Sequence, residues 1–71
     1  MTYKLVQFKD GRFGGRKGFF NYRYLDMLEP VRFQWYGTEA VNKWGKGTQE
    51  QAIKAIEAYN KNSDKDKGTL V

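Results

Sequence analysis

The sequence predicts an α+β fold, a three-stranded antiparallel sheet packed on one C-terminal α-helix in the order β-β-β-α. Three observations carry this. The stretch Phe19 to Tyr36 holds seven aromatic residues in eighteen, interrupted by Asp26-Met27-Leu28-Glu29-Pro30. Two β-favouring runs about a polar, proline-ended connection read as paired strands. An earlier run, Tyr3 to Lys9, ends at Asp10-Gly11, a hairpin signal because glycine tolerates positive φ. Finally, Thr48-Gln49-Glu50-Gln51 matches a capping box at the start of an amphipathic run.

A tight turn at Asp10-Gly11 places Phe8 opposite Phe13. The following Gly14-Gly15-Arg16-Lys17-Gly18 suits a β-bulge or an irregular loop. The chain from Phe13 is therefore either one long bent second strand, pairing first with strand one and then with strand three, or a strand preceded by a wide 10–18 loop. With the next connection at Met27 to Pro30, Tyr24 faces Phe33 and Tyr22 faces Trp35. Alternation puts Phe20, Tyr22, Tyr24, Val31, Phe33 and Trp35 on one face, the core beneath the helix. Phe19, Asn21, Arg23, Arg32, Gln34 and Tyr36 then take the open face; a one-residue slip would mix apolar and basic groups on both. Gly37 to Gly47 is a connection with room for one helical turn, and Trp44 is expected to fold back over an edge of the core. The helix runs to about Asn62, with Ala52, Ile53, Ile56 and Tyr59 on its apolar stripe and Glu50–Lys54 and Glu57–Lys61 as i,i+4 pairs. Residues 1–62 form a single small domain, and 63–71 a flexible C-terminal tail.

Seventy-one residues allow one small core and a thin stability margin. There is no cysteine, so no disulfide framework and no thiolate chemistry. No apolar run approaches the roughly 20 residues that span a bilayer, and no signal-peptide core is present. A soluble cytoplasmic protein with no membrane partner is expected. The absence of histidine removes the commonest general acid/base and metal ligand, the eight carboxylates are scattered, and no Ser or Thr has a base in view. The expectation is a non-enzymatic protein without a cofactor.

Net charge is +5. Residues 1–36 carry seven basic side chains (Lys4, Lys9, Arg12, Arg16, Lys17, Arg23, Arg32) against three acidic ones (Asp10, Asp26, Glu29). The excess thus belongs to the sheet and its loops. On the open face Arg23, Arg32, Gln34 and Asn21 suit hydrogen bonds to phosphates or base edges, and Tyr36 and Phe19 suit base stacking. Arg12, Arg16 and Lys17 supply a basic hairpin to grip phosphate. The same residues also suit the solvated side of an ordinary antiparallel sheet; the charge asymmetry favours anion binding, with DNA or RNA as partner. Tyr3, Leu5, Phe19 and Tyr36 would also make an apolar patch for a protein partner. The outer strands leave free edges for a homodimer.

In Lys9-Asp10-Gly11-Arg12-Phe13, Tyr22-Arg23-Tyr24-Leu25-Asp26 and Thr48-x-Glu50-x-Ala52-x-x-Ala55-x-x-Ala58-Tyr59, the chain resembles sheet-type DNA-binding domains. These are the arm-site-binding N-terminal domain of tyrosine integrases and the plant AP2 family. The resemblance covers residues 3 to 60 and implies three strands and a helix, with Arg23, Arg32 and Gln34 entering a major groove. A small basic protein without a catalytic constellation also suits a phage or mobile-element factor. Such a factor would bind and inhibit a host polymerase, nuclease or defence protein in the host cytoplasm.

Overall fold

The structure, a computed structural model, describes residues 3–65, with side chains described to residue 61. The chain is α+β. Its elements run β1 (Lys4–Gln7), β2 (Phe13–Lys17), β3 (Arg23–Leu25), β4 (Gln34–Trp35), α1 (Thr38–Trp44) and α2 (Gln49–Lys65). The strands form one sheet in the order β1-β2-β3-β4, each antiparallel to the next. There are four strands rather than the expected three, and a short helix precedes the long one. The edges are accordingly β1 and β4.

The extra strand comes from Gly18. The expected long second strand breaks there and folds back on itself, so that Lys17 pairs with Arg23 and Arg16 with Tyr24. Gly18 has φ +123°, and a Cβ on it would lie 2.5 Å from the Asn21 carbonyl oxygen. Only glycine suits that turn. Gly14 and Gly15 are neither bulge nor loop; both lie inside β2.

Two registers also differ from expectation. In the first hairpin Gln7, not Phe8, faces Phe13. The Phe8 N–H donates to Arg12 O at 2.7 Å and the Gly11 N–H to Phe8 O at 3.0 Å. Lys9-Asp10-Gly11 is therefore a three-residue loop closed by a positive-φ glycine (φ +91°), a common hairpin form. In the second, Tyr24 faces Trp35 and Leu25 faces Gln34, two residues off the expected pairing. The cause is Asp26, whose carboxylate holds the turn from within, so the connection is longer than Met27–Pro30.

A two-residue shift leaves the composition of each face unchanged, but the expected face for the helix is wrong. α2 packs on the face of Tyr3 and Leu25, not on that of Phe33 and Trp35. Leu25 (0% exposed), Tyr3 (4%) and Ala55 are the buried core there, joined by Met27, Ile56 and Tyr59. Gly15 makes the close approach feasible, since a Cβ on it would sit 2.9 Å from Ile56 Cγ1 and 3.0 Å from Leu25 Cδ1. A bare backbone and small helix residues admit a helix more closely than a row of large rings does. Ala52 joins this buried side of α2, whereas Ile53, expected on the stripe, is exposed.

The capping box forms as read. Gln51 N–H donates to Thr48 Oγ1 at 3.1 Å, and Thr48 N–H donates to Gln51 Oε1 at 2.9 Å. Lys54 reaches Glu50 at 3.1 Å. The helix continues to Lys65, past the expected end near Asn62; the remainder of the 63–71 tail lies outside the described residues. Among the described residues no helix is long and apolar enough to cross a membrane.

Candidate nucleic-acid interface

The face turned away from α2 carries most of the rings. A cross-strand row runs Lys4–Arg16–Tyr24–Trp35, one residue from each strand. Tyr22, two residues before Tyr24, lies on the same side, its ring 6.5 Å from that of Tyr24. The Arg16 guanidinium lies 4.2 Å above the Tyr22 ring. Phe8 turns onto the same face, its ring 5.6 Å from Tyr24 and seated on Gly14, where a Cβ would come within 2.8 Å of it. Among the described residues no carboxylate pairs with Lys4 or Arg16, so both charges remain open to an outside anion.

α1 covers only part of this face. Val41 is buried, and Trp44 tilts against Trp35 with ring centroids 4.8 Å apart. Trp44 therefore folds back onto the aromatic side of the sheet rather than over an edge of the Tyr3–Leu25 core, and stays half exposed. The chain after α1 is tied down by the Phe13–Gly47 bridge, Phe13 N–H to Gly47 O at 2.7 Å and Gly47 N–H to Phe13 O at 2.8 Å. Between sheet and helix remains an open cleft of about 180 Å³, lined by Phe8, Tyr24, Thr38, Val41, Asn42 and Lys46. The Lys46 ammonium lies 4.4 Å above the Phe8 ring and 3.6 Å from Asp10 Oδ2. An aromatic wall, an amide, a hydroxyl and a cation thus meet at one cleft, a combination that suits a planar heterocycle beside a negative charge.

Trp35 is fixed from behind. Its Nε1–H donates to Asp26 Oδ2 at 2.8 Å, while Asp26 Oδ1 accepts from Leu28 N–H (2.8 Å) and Glu29 N–H (2.9 Å). Asp26 is only 6% exposed. Burial pushes its carboxyl up, but the hydrogen bonds from Glu29, Trp35 and Leu28 outweigh it, and the group titrates below the ordinary carboxylate range. Phe33 stacks on Trp35 at 5.8 Å and 17°.

The residues singled out from sequence are divided by the fold. Arg16 belongs to the aromatic face. Arg12 is engaged: Nε donates to Asp10 Oδ2 at 2.9 Å, Nη2 lies 2.8 Å from the same oxygen, and Nη1 reaches Asn42 O at 3.3 Å. Lys17 and Arg23 lie on the α2 side, 5.5 Å over the rings of Tyr3 and Tyr36 respectively. Gln34 is on that side too, its amide donating to Pro30 O at 2.9 Å. Arg32 sits in the β3–β4 connection, 3.7 Å from Glu29. Of the apolar patch, Tyr3 is in the core, edge-on to Tyr59 at 4.8 Å, while Leu5, Phe19 and Tyr36 are exposed. Lys4, Tyr22, Tyr24, Trp35 and Lys46 join the site from the fold alone: alternation puts Tyr22, Tyr24 and Trp35 on the expected buried face, and Lys46 has no sequence signal beyond its flanking glycines.

Asp10 carries a local consequence. The hydrogen bonds from Arg12 hold its carboxyl at about 2. Arg12→Ala is expected to return that titration toward the ordinary range of about 3.9, read by carboxyl-carbon NMR. Thermal stability should change little, because the pair is exposed and such pairs contribute little. An unmoved titration would show that the Arg12 backbone N–H, which also donates to Asp10 Oδ1 at 3.0 Å, and Lys46 hold the charge without the guanidinium.

Among the described residues no group of three His, Cys, Asp or Glu side chains is placed to hold a metal ion. Comparison with protein-family models, with curated proteins and with solved structures gave no match to this chain.

Proposed function

We propose that this protein binds single-stranded nucleic acid, without catalysis, on the sheet face turned away from α2. The observation that carries the reading is the coincidence there of partly exposed rings with cations that pair with no carboxylate among the described residues, in the Lys4–Arg16–Tyr24–Trp35 row and the adjoining Tyr22. Ring faces stack on unpaired bases whatever their sequence, whereas a duplex hides its base faces. In this reading one base lies on Tyr22 and another enters the cleft against Tyr24 and Phe8. Lys4 and Arg16 meet the phosphates. Arg23 and Gln34, which the integrase and AP2 resemblance would send into a major groove, stand on the other side, and Arg32, the third such residue, lies in the β3–β4 connection beside Glu29.

The test is an anisotropy titration with labelled single-stranded DNA, RNA and duplex DNA at two salt concentrations. Arg16→Ala combined with Tyr22→Ala is expected to weaken single-strand binding by roughly tenfold or more, since one stacked base contributes about 1–3 kcal/mol. Loss of the Arg16 charge should lower the salt slope by about 0.7. Lys17→Ala with Arg23→Ala is the matched control and should leave the slope nearer the wild-type value. If the control loses as much as the first pair, the binding face is not the one proposed. No binding of any ligand at low salt removes the reading altogether.

A further inference from the structure

The β2–β3 turn is not absorbed by the nucleic-acid reading. Its tip carries Phe19 and Phe20, 74% and 86% exposed. Their rings meet edge to face at 4.9 Å and 83°. Exposed aromatic side chains of this size at a turn are costly to solubility and mark a contact. At the base of the tip stand Lys17 and Arg23, paired across the two strands on one face, and Arg16 on the other. The carboxylates with described partners lie elsewhere: Asp10 in the first hairpin, Asp26 and Glu29 in the β3–β4 connection, Glu39 in α1 and Glu50 at the start of α2. The tip is thus an apolar plug inside a collar of positive charge.

We propose that this tip docks on an anionic bilayer surface, with Phe19 and Phe20 entering the acyl boundary and Arg16, Lys17 and Arg23 meeting lipid headgroup phosphates. One feature favours lipid over a wedge between base pairs. Cations stand on both faces of the ribbon and so match a headgroup layer that surrounds the tip on every side, whereas a wedge enters a duplex from one groove. Tyr22, under Arg16, and Tyr36, under Arg23, add amphipathic rings at the depth where interfacial tyrosines concentrate. Such docking is peripheral and requires no spanning helix; affinity comes from apolar area plus attraction to anionic lipid.

The experiment is co-sedimentation of the full chain with vesicles of phosphatidylserine and phosphatidylcholine, or of phosphatidylcholine alone, beside the variant Phe19→Ser/Phe20→Ser. Both rings are exposed, so circular dichroism should show an unchanged fold. The chain has no cysteine, and a Phe20→Cys variant carrying an environment-sensitive dye reports insertion directly. Expected are binding to the anionic vesicles only, more than about tenfold weaker in the double serine variant, and a blue shift of the dye. Three results overturn the proposal. They are no sedimentation of wild type at low salt, equal sedimentation of the double serine variant (charge alone), or a dye shift with DNA and none with vesicles (a nucleic-acid wedge).

Discussion

Asp26→Ala is expected to leave most of the protein unfolded at room temperature. The carboxylate is almost fully buried and accepts three hydrogen bonds, from Leu28, Glu29 and the Trp35 indole. Removing it leaves three part-buried N–H donors without their acceptor, and each donor left unsatisfied costs about 1–3 kcal/mol. A single core in a chain of this size rarely supplies more than about 3–5 kcal/mol, so the whole margin is at stake. Asp26→Asn keeps one acceptor oxygen and should lose about 1–2 kcal/mol. Urea titrations followed by circular dichroism measure both. The pH dependence has a definite sign. The folded group titrates below its ordinary value, so its stabilisation is complete above the unfolded pKa of about 3.9 and is lost as pH falls through the lower, folded one. Asp26→Asn should remove that part of the acid limb. An Asp26→Ala protein as stable as wild type would mean that the β3–β4 connection holds without its carboxylate.

The legible parts of the fold were those written in local chemistry. The α2 start follows from a hydroxyl and an amide three residues apart, and Thr48 and Gln51 form the box that their spacing implies. The strand runs at 4–7, 23–25 and 34–35 lie inside the expected β-favouring stretches. What failed was the depth of the sheet. Period-two alternation separates two faces but does not say which faces a helix. Five aromatic residues (Phe20, Tyr22, Tyr24, Phe33 and Trp35) outweighed one leucine in that choice. The decisive features were small: Gly15 and Ala55, whose contribution is the volume they leave free, and Leu25, which alternation placed on the face carrying Arg23.

The candidate site was lost for a related reason. Tyr22, Tyr24 and Trp35 were legible as one face, and Arg16 as a binding cation, yet they were set on opposite sides. The turn at Gly18 brings them together. A positive-φ glycine between two β-favouring segments can be seen in sequence, but here Gly14 and Gly15 compete with it for the same role. The three differ only in tertiary surroundings. Gly14 and Gly15 meet Phe8, Gly45, Ile56 and Leu25, whereas Gly18 meets its own turn. Asp26 presents the same difficulty, because only its burial distinguishes a carboxylate that anchors a turn from one on a solvated loop.

Gly14→Ala should be the more damaging of two neighbouring glycine substitutions. A Cβ at residue 14 would lie 2.6 Å from the Gly45 carbonyl oxygen and 2.8 Å from the Phe8 ring. Gly45 lies two residues before the Phe13–Gly47 bridge, so its backbone has little freedom to retreat. A Cβ at residue 15 meets side-chain atoms instead, Ile56 Cγ1 at 2.9 Å and Leu25 Cδ1 at 3.0 Å, and a small rotamer adjustment relieves part of that overlap. Either alanine restricts the unfolded chain and so recovers about 0.4–1 kcal/mol. Overpacking costs about 1–3 kcal/mol, with the rigid neighbour at the upper end. The expected net losses are therefore about 2 kcal/mol for Gly14→Ala and about 1 kcal/mol or less for Gly15→Ala, read from urea midpoints at constant slope. The two should also differ in function. Displacing Gly45 carries Lys46 and Phe8 with it and deforms the cleft, so Gly14→Ala should weaken single-strand binding even where it remains folded. Gly15→Ala acts on the α2 side and should leave that affinity nearly unchanged. The reverse order of stability would mean that the seat of α2 on β2 yields less than the Phe13–Gly47 bridge, and that the helix fixes the sheet.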